Sequence, residues 1–219
     1  MIDESTYTIT SETANKYAEQ FSSPEDNVLA ALNMQTQAEV HGAHMISGHL
    51  QGQFLKMISC MIQPKYVLEL GTYTGYATIV LAAGLQNNGE IHTIDIDTKL
   101  QNIRDKYWQA AGLTNNIKQF IGKAIDLLPS LEYDYDLAFI DADKGNYQNY
   151  VNLLIQKMRK GSFILVDNTL FHGEVLKPEE EQNKTGKKIH DFNQYLTTLP
   201  NIEFVLLPIR DGITLLRII

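Results

Sequence analysis

The chain has 219 residues, 44% hydrophobic and 20% charged, which fits one α/β domain large enough to bury a core. Its formal net charge of -8 argues against a general nucleic-acid coat, although Lys184, Lys187 and Lys188 could form a local basic patch. No apolar stretch approaches the roughly 20 residues of a membrane helix. The acidic start Met1-Ile2-Asp3-Glu4 is unlike a secretory signal, and a single cysteine, Cys60, allows no intrachain disulfide, so a reducing cytoplasm is the expected compartment.

Residues 1–62 read as a helical cover and 63–219 as an α/β core, together one domain. Ser23-Pro24-Glu25-Asp26 is a helix start, with Pro near the first turn and acids favoured by the dipole. A second helix covers Gln51 to Ile62 and stops before Pro64. From Tyr66 strand and helix alternate. The strands are Tyr66–Leu70, Ile91–Asp95, Ile117–Ile121, Leu137–Asp141 and Ser162–Asp167. The helices are Tyr76–Gly84, Thr98–Ala111, Asp126–Ser130 and Asn146–Lys160. This order predicts right-handed crossovers and a mainly parallel sheet. A polar loop, Glu174 to Thr185, leads to a helix over Lys188–Leu199. The strands Glu203–Pro208 and Ile213–Ile219 follow, joined by the hairpin signal Asp211-Gly212.

Chemistry concentrates where apolar runs end. Val67-Leu68-Glu69-Leu70 meets Gly71-Thr72-Tyr73-Thr74-Gly75, a glycine turn that lets backbone approach a ligand. Tyr73 stands where a dinucleotide site needs Gly, so a nucleoside without phosphates fits better than a nicotinamide dinucleotide. Asp95, at the end of the next strand, is placed to accept ribose hydroxyls. Leu137-Ala138-Phe139-Ile140 runs into Asp141-Ala142-Asp143-Lys144, and Phe163-Ile164-Leu165-Val166 into Asp167-Asn168. Two Asp and an Asn at neighbouring strand ends offer hard oxygen ligands to a divalent cation. Lys144 is a candidate base or a solvated lysine, and Asp143 a ligand or a cap for the helix after it. His41, His44 and His49 lack the spacing of a zinc site and read as surface or packing residues. Tyr107 and Trp108 read as helix packing. Tyr73 and Tyr76 read either as loop packing or as part of a cofactor wall.

The run Val67 to Tyr76 resembles the S-adenosylmethionine loop of the cation-dependent O-methyltransferases, the family of the caffeoyl-CoA O-methyltransferases and, more distantly, catechol O-methyltransferase. Phe139 to Lys144, Asp167-Asn168-Thr169-Leu170, Gln51-Gly52-Gln53-Phe54-Leu55 and Asp211-Gly212-Ile213-Thr214-Leu215 resemble further family motifs in the same order. The resemblance implies a Rossmann-like class I methyltransferase fold. It implies a seven-stranded, mainly parallel sheet with helices on both faces and an antiparallel C-terminal hairpin.

By the same match, Glu69, Gly71 and Thr72 would line the methionine and ribose side of S-adenosyl-L-methionine. Asp95 would hold the ribose, Ala124 would flank the adenine, and Ala77, Met45 and Ser47 would complete the cofactor site. Asp143 would face the cofactor's amino group. Asp141, Asp167 and Asn168 would bind Mg2+, or Ca2+ or Mn2+, and Asp141 and Lys144 would be catalytic. His172 replaces a substrate-contacting Asn of the plant members, and Asp211 would stand beside it at the acceptor. A vicinal diol would fill two open positions on the cation, which lowers the hydroxyl pKa and orients the attacking oxygen. Glu179-Glu180-Glu181 opposes the phosphates of a coenzyme A thioester, so a smaller catechol-like acceptor is expected. The resemblance also implies a homodimer. The alternatives are a tRNA hydroxyuridine methyltransferase of the same family, a nicotinamide-dependent oxidoreductase, and a non-catalytic cofactor-binding module.

Overall fold

The computed structural model describes residues 10–219, so Met1-Ile2-Asp3-Glu4 lies outside the described residues. Helix α1 (Glu12–Gln20) is capped by Ser11, whose hydroxyl accepts from the Ala14 N–H. Helix α2 (Asn27–Glu39) is capped by Asp26, whose carboxylate accepts from the Val28 N–H. Pro24 therefore precedes the helix instead of joining its first turn. Helix α3 (Gly48–Ile62) starts one turn earlier than Gln51. It ends as expected before Pro64, with Gln63 left-handed at φ 49.

Strands and helices then alternate as β1 (Tyr66–Leu70), α4 (Tyr76–Ala82), β2 (Glu90–Asp95), α5 (Gln101–Ala110), β3 (Ile117–Ile121), α6 (Ala124–Leu127), β4 (Leu137–Ile140), α7 (Tyr147–Lys157) and β5 (Phe163–Asp167). Helix α8 (Lys184–Leu196) and the strands β6 (Ile202–Leu207) and β7 (Ile213–Ile218) complete the chain. The predicted loop and final helix are both corrected here. Phe171–Leu176 is 3-10 turn structure kinked at left-handed His172 and Gly173, and Glu179–Glu181 is a further 3-10 turn. The helix begins at Lys184 because the Asn183 side chain accepts from the Thr185 and Gly186 N–H groups, a cap that recruits Lys184 and Thr185 from the supposed loop.

The sheet order is β3-β2-β1-β4-β5-β7-β6. Strands β1 to β5 are parallel, and β7 runs antiparallel between β5 and β6, as the Rossmann-like expectation requires. Strand β1 has β2 on one side and β4 on the other, so the connections leave it in opposite directions. That switch opens a crevice at the carboxyl ends of the strands. Alternation along β1 divides the core. Leu68 and Leu70 pack with Val151, Leu154 and Phe192 on one face, and Val67 packs with Val80, Leu81 and Trp108 on the other. Each such fully buried side chain contributes about 1.5–3 kcal/mol, which makes the strand ends a rigid base for the loops above them. No helix among the described residues is long and apolar enough to cross a membrane.

Candidate active site

A cavity of about 880 Å³ opens at the carboxyl ends of the strands. Its wall begins at the turn after β1. Gly71 has φ +92, and a Cβ there would lie 2.0 Å from the carbonyl oxygen of Asp141, so only glycine lets the ends of β1 and β4 come this close. Gly75, at φ +86, starts α4 against the Trp108 indole. Between them Tyr73 adopts φ +50 without being glycine, a strained conformation held from outside. Asp95 supplies part of that hold: its Oδ2 accepts from the Thr72 and Tyr73 N–H groups at 2.8 and 2.9 Å, and its Oδ1 from the Asp97 N–H at 2.8 Å.

The lining gathers residues far apart in sequence. Met45 and Ser47 come from the cover, Gly71 and Thr72 from the turn after β1, Ala77 from α4, Asp95 from β2, and Ala124 from α6. Asp141, Asp143 and Lys144 follow β4, Asp167 and Asn168 follow β5, and His172 and Asp211 close the far side. Glu69 departs from the expectation: it does not line the cavity but is fully buried beneath it on β1. Its Oε2 accepts from the Thr78 hydroxyl at 2.6 Å. Burial pushes its carboxyl up to about 8, against the pull of that hydrogen bond.

The acidic end is closely wired. Lys144 Nζ donates to Asp141 Oδ1 at 2.8 Å and lies 5.4 Å from the centre of the Tyr147 ring. Asp167 Oδ2 accepts from Gln51 Nε2 at 2.7 Å, and Oδ1 from the Asn168 N–H at 2.8 Å. Burial, and then the charge of Asp141, push the Asp167 carboxyl up to about 6. Burial alone would lower Lys144, but Asp141 and Tyr147 outweigh it and hold the amine above the ordinary lysine range. Asn168 is left-handed at φ +58, and its Nδ2 donates to Asp211 Oδ2 at 3.1 Å, which leaves the amide oxygen available. Asp211 also accepts from the His172 N–H, and burial raises its carboxyl.

Other sequence readings resolve locally. Asp143 makes no cap bond to the following helix; its oxygens accept from the Tyr150 hydroxyl and Asn146 Nδ2. Tyr73 and Tyr76 both line the cavity, and Tyr76 also donates to Glu25. Tyr107 and Trp108 are buried packing residues, with the Tyr107 hydroxyl donating to the Ala31 carbonyl at 3.0 Å. The His49 ring bonds the Ser23 carbonyl oxygen at 2.7 Å. Among the described residues no three His, Cys, Asp or Glu side chains come together as metal ligands. The set that does converge is two carboxylates and an amide oxygen, all hard donors.

Sequence reasoning missed the residues that tie this site together. Arg210, at φ +53 in the β6–β7 connection, donates to the carbonyl oxygens of Ser47 at 2.8 Å and His44 at 2.6 Å. It also reaches Gln51 Oε1 at 3.4 Å, so one chain of contacts joins the cover to Asp167. Only the run Gln51 to Leu55 hinted at that role. Arg104, on α5, is buried beneath the Tyr73 turn, and nothing in its helical position distinguishes it from a surface arginine.

Comparison with known proteins agrees with this geometry. The model of the O-methyltransferase family matches residues 19–219. Caffeoyl-CoA O-methyltransferase 2 of Eucalyptus globulus is 38% identical over 178 residues, covering 76% of this chain and 72% of that protein. Caffeoyl-CoA O-methyltransferase 5 of Nicotiana tabacum is 36% identical over the same length, covering 76% and 74%. Among solved structures, a Podospora anserina methyltransferase bound to SAH (S-adenosylhomocysteine) superimposes with a TM-score of 0.88 at 27% identity, covering 96% of this chain and 97% of its own. The O-methyltransferase of Bacillus cereus in complex with SAH gives 0.85 at 27% identity, with all of both chains covered. These matches set aside the nicotinamide and non-catalytic readings. The chain belongs to the O-methyltransferase family and, like the caffeoyl-CoA O-methyltransferases it resembles, is an S-adenosylmethionine-dependent O-methyltransferase.

Proposed function

We propose that the protein transfers a methyl group to one hydroxyl of a vicinal dihydroxy aromatic, using a divalent cation held by Asp141, Asp167 and Asn168. The observation that carries this reading is the acidic end of the cavity. Asp141 and Asp167 stand at the ends of adjacent strands, and burial together with the charge of Asp141 pushes Asp167 up to about 6. Two acids in that relation, beside an amide oxygen turned free by Asp211, form a donor set that fits a hard cation. When bound, the cofactor supplies a methyl group on a sulfonium, and the cation supplies chelation that lowers the pKa of the acceptor hydroxyl.

The chain's own residues supply position and charge. Asp95 faces the cavity where a ribose would lie, and Asp143 offers a carboxylate to an amino group. The Gly71 turn brings the two sides within reach, and such orientation contributes about 7–11 kcal/mol to well-placed reactions. Lys144 carries its proton while Asp141 Oδ1 is its partner, so it serves as the base only when the charge of Asp141 is engaged elsewhere. Phe171, His172 and Asp211 border the acceptor side. The acidic turn Glu179–Glu181 favours a small catechol over a phosphate-rich thioester. A homodimer belongs to the same proposal; exposed Phe204 and Val205 on the edge strand β6 give it an apolar surface.

The test is methyl transfer from S-adenosylmethionine to caffeic acid or another catechol, with Mg2+ and with a chelator. Activity should vanish on chelation and in Asp141→Ala and Asp167→Ala, while Mn2+ binding, followed by electron paramagnetic resonance, should be lost in both variants. Equal activity after chelation would sink the metal role.

A further inference from the structure

We propose, on the reading that Asp95 holds the cofactor's ribose, that Arg104 is a positioning residue for that ribose. It acts through Asp95 and sets the enzyme's selectivity for the ribose hydroxyls. The side chain is fully buried, and the guanidinium spreads over the two loops that wall the nucleoside end of the cavity. Nε donates to the Tyr73 carbonyl at 2.6 Å, on the loop after β1. Nη1 donates to the Asp97 carbonyl at 2.9 Å, on the loop after β2. Nη2 lies 3.3 Å from Asp95 Oδ2, the oxygen that also accepts from the Thr72 and Tyr73 N–H groups.

The rigid fork of arginine suits this task. A lysine in its place would offer one nitrogen to two carbonyls that Arg104 bonds separately and to the carboxylate its Nη2 faces as an ion pair. Burying a guanidinium is expensive, and a helix that needed only packing at this position would be better served by an apolar side chain, as α5 shows at Tyr107 and Trp108. The result is a fixed carboxylate. Asp95 Oδ2 accepts two N–H groups and faces Nη2, and Oδ1 accepts from the Asp97 N–H, so the carboxylate is fixed in orientation at the cavity wall. Tyr73 is gripped at both its N–H, by Asp95, and its carbonyl, by Arg104, which explains how a non-glycine residue is held at φ +50.

Calorimetric titration of SAH and of its 2′,3′-dideoxyribose analogue into wild type, Arg104→Met and Arg104→Lys tests the assignment. Arg104→Met should weaken SAH at least tenfold and the analogue less than threefold, because the analogue lacks the hydroxyls that Asp95 reads. Arg104→Lys should recover part of the lost affinity for SAH and part of the discrimination. Equal losses for the two ligands would mean generic loosening and would overturn the proposal, as would unchanged affinity for SAH. If Arg104→Met gives no cooperative thermal melt, Arg104→Lys decides the question by the same ratio: discrimination equal to that of wild type overturns the proposal.

Discussion

Replacing Glu69 by Gln should tilt the dependence of stability on pH. Glu69 is fully buried on β1, and its carboxyl is pushed up to about 8, so the native protein keeps it protonated near neutrality. An unfolded chain ionises it near the ordinary value of 4.5. The sign follows from linkage. Below pH 4.5 both states hold the proton and Glu69 costs nothing. Between 4.5 and about 8 the unfolded state gains by releasing the proton, and stability falls with rising pH. Above 8 the native state ionises too and the loss levels off. At about 1.4 kcal/mol per pH unit, the cost is about 3 kcal/mol at pH 7 and at most about 5 kcal/mol above pH 8. The substituted glutamine cannot titrate, so its own packing adds an offset that does not vary with pH. Urea denaturation of both proteins from pH 4.5 to 9 isolates the effect, because all other titrating groups cancel in the difference. The stability of Glu69→Gln relative to wild type should rise by roughly 3 kcal/mol between pH 4.5 and 7. Parallel curves across that range would refute the burial argument.

Gly71→Ala places a Cβ 2.0 Å from a backbone carbonyl at φ +92, an overlap no rotamer relieves. It should cost about 3 kcal/mol or more in denaturant unfolding and abolish SAH binding in calorimetry. Asp136→Ala removes a buried carboxylate that accepts from the Lys65 and Tyr66 N–H groups and from Arg159. A loss of about 2–4 kcal/mol in the same unfolding assay is expected, with SAH affinity little changed. Arg210→Ala should raise the KM for S-adenosylmethionine several-fold and open residues 42–48 to limited proteolysis, because the carbonyls of His44 and Ser47 lose their donor. Unchanged proteolysis would mean the cover is held by other contacts.

The sheet was legible because its strands are short apolar runs ending in Gly or Asp, and Leu70-Gly71, Asp95, Asp141 and Asp167 mark four strand ends directly. The acidic half of the site was legible for the same reason. Helix boundaries were less so. Asn183 and Asp26 decide where α8 and α2 begin through side-chain bonds that a local pattern does not rank above their polar neighbours. The bracing residues were hidden altogether. Arg210 and Gln51 are 159 positions apart, and Arg104 finds its acceptors on two different loops. The left-handed backbone of Tyr73 had no signal either, since a tertiary bond from its N–H to Asp95 holds it there, whereas Asn168 and His172 are residue types that visit this region more readily. Glu69 showed the opposite failure: its motif position was clear, but its complete burial depends on how α4 covers β1.

Arg210 grips the cover by two main-chain oxygens, and this separates closure from recognition. A clasp on carbonyls is indifferent to which side chains the clasped segment carries. His44 and Met45, which both border the cavity, can therefore be exchanged without unfastening the wall they stand on. For engineering the cavity wall, the side chains of His44 and Met45 are the parts to vary, and the arginine that fastens the segment is the part to leave alone.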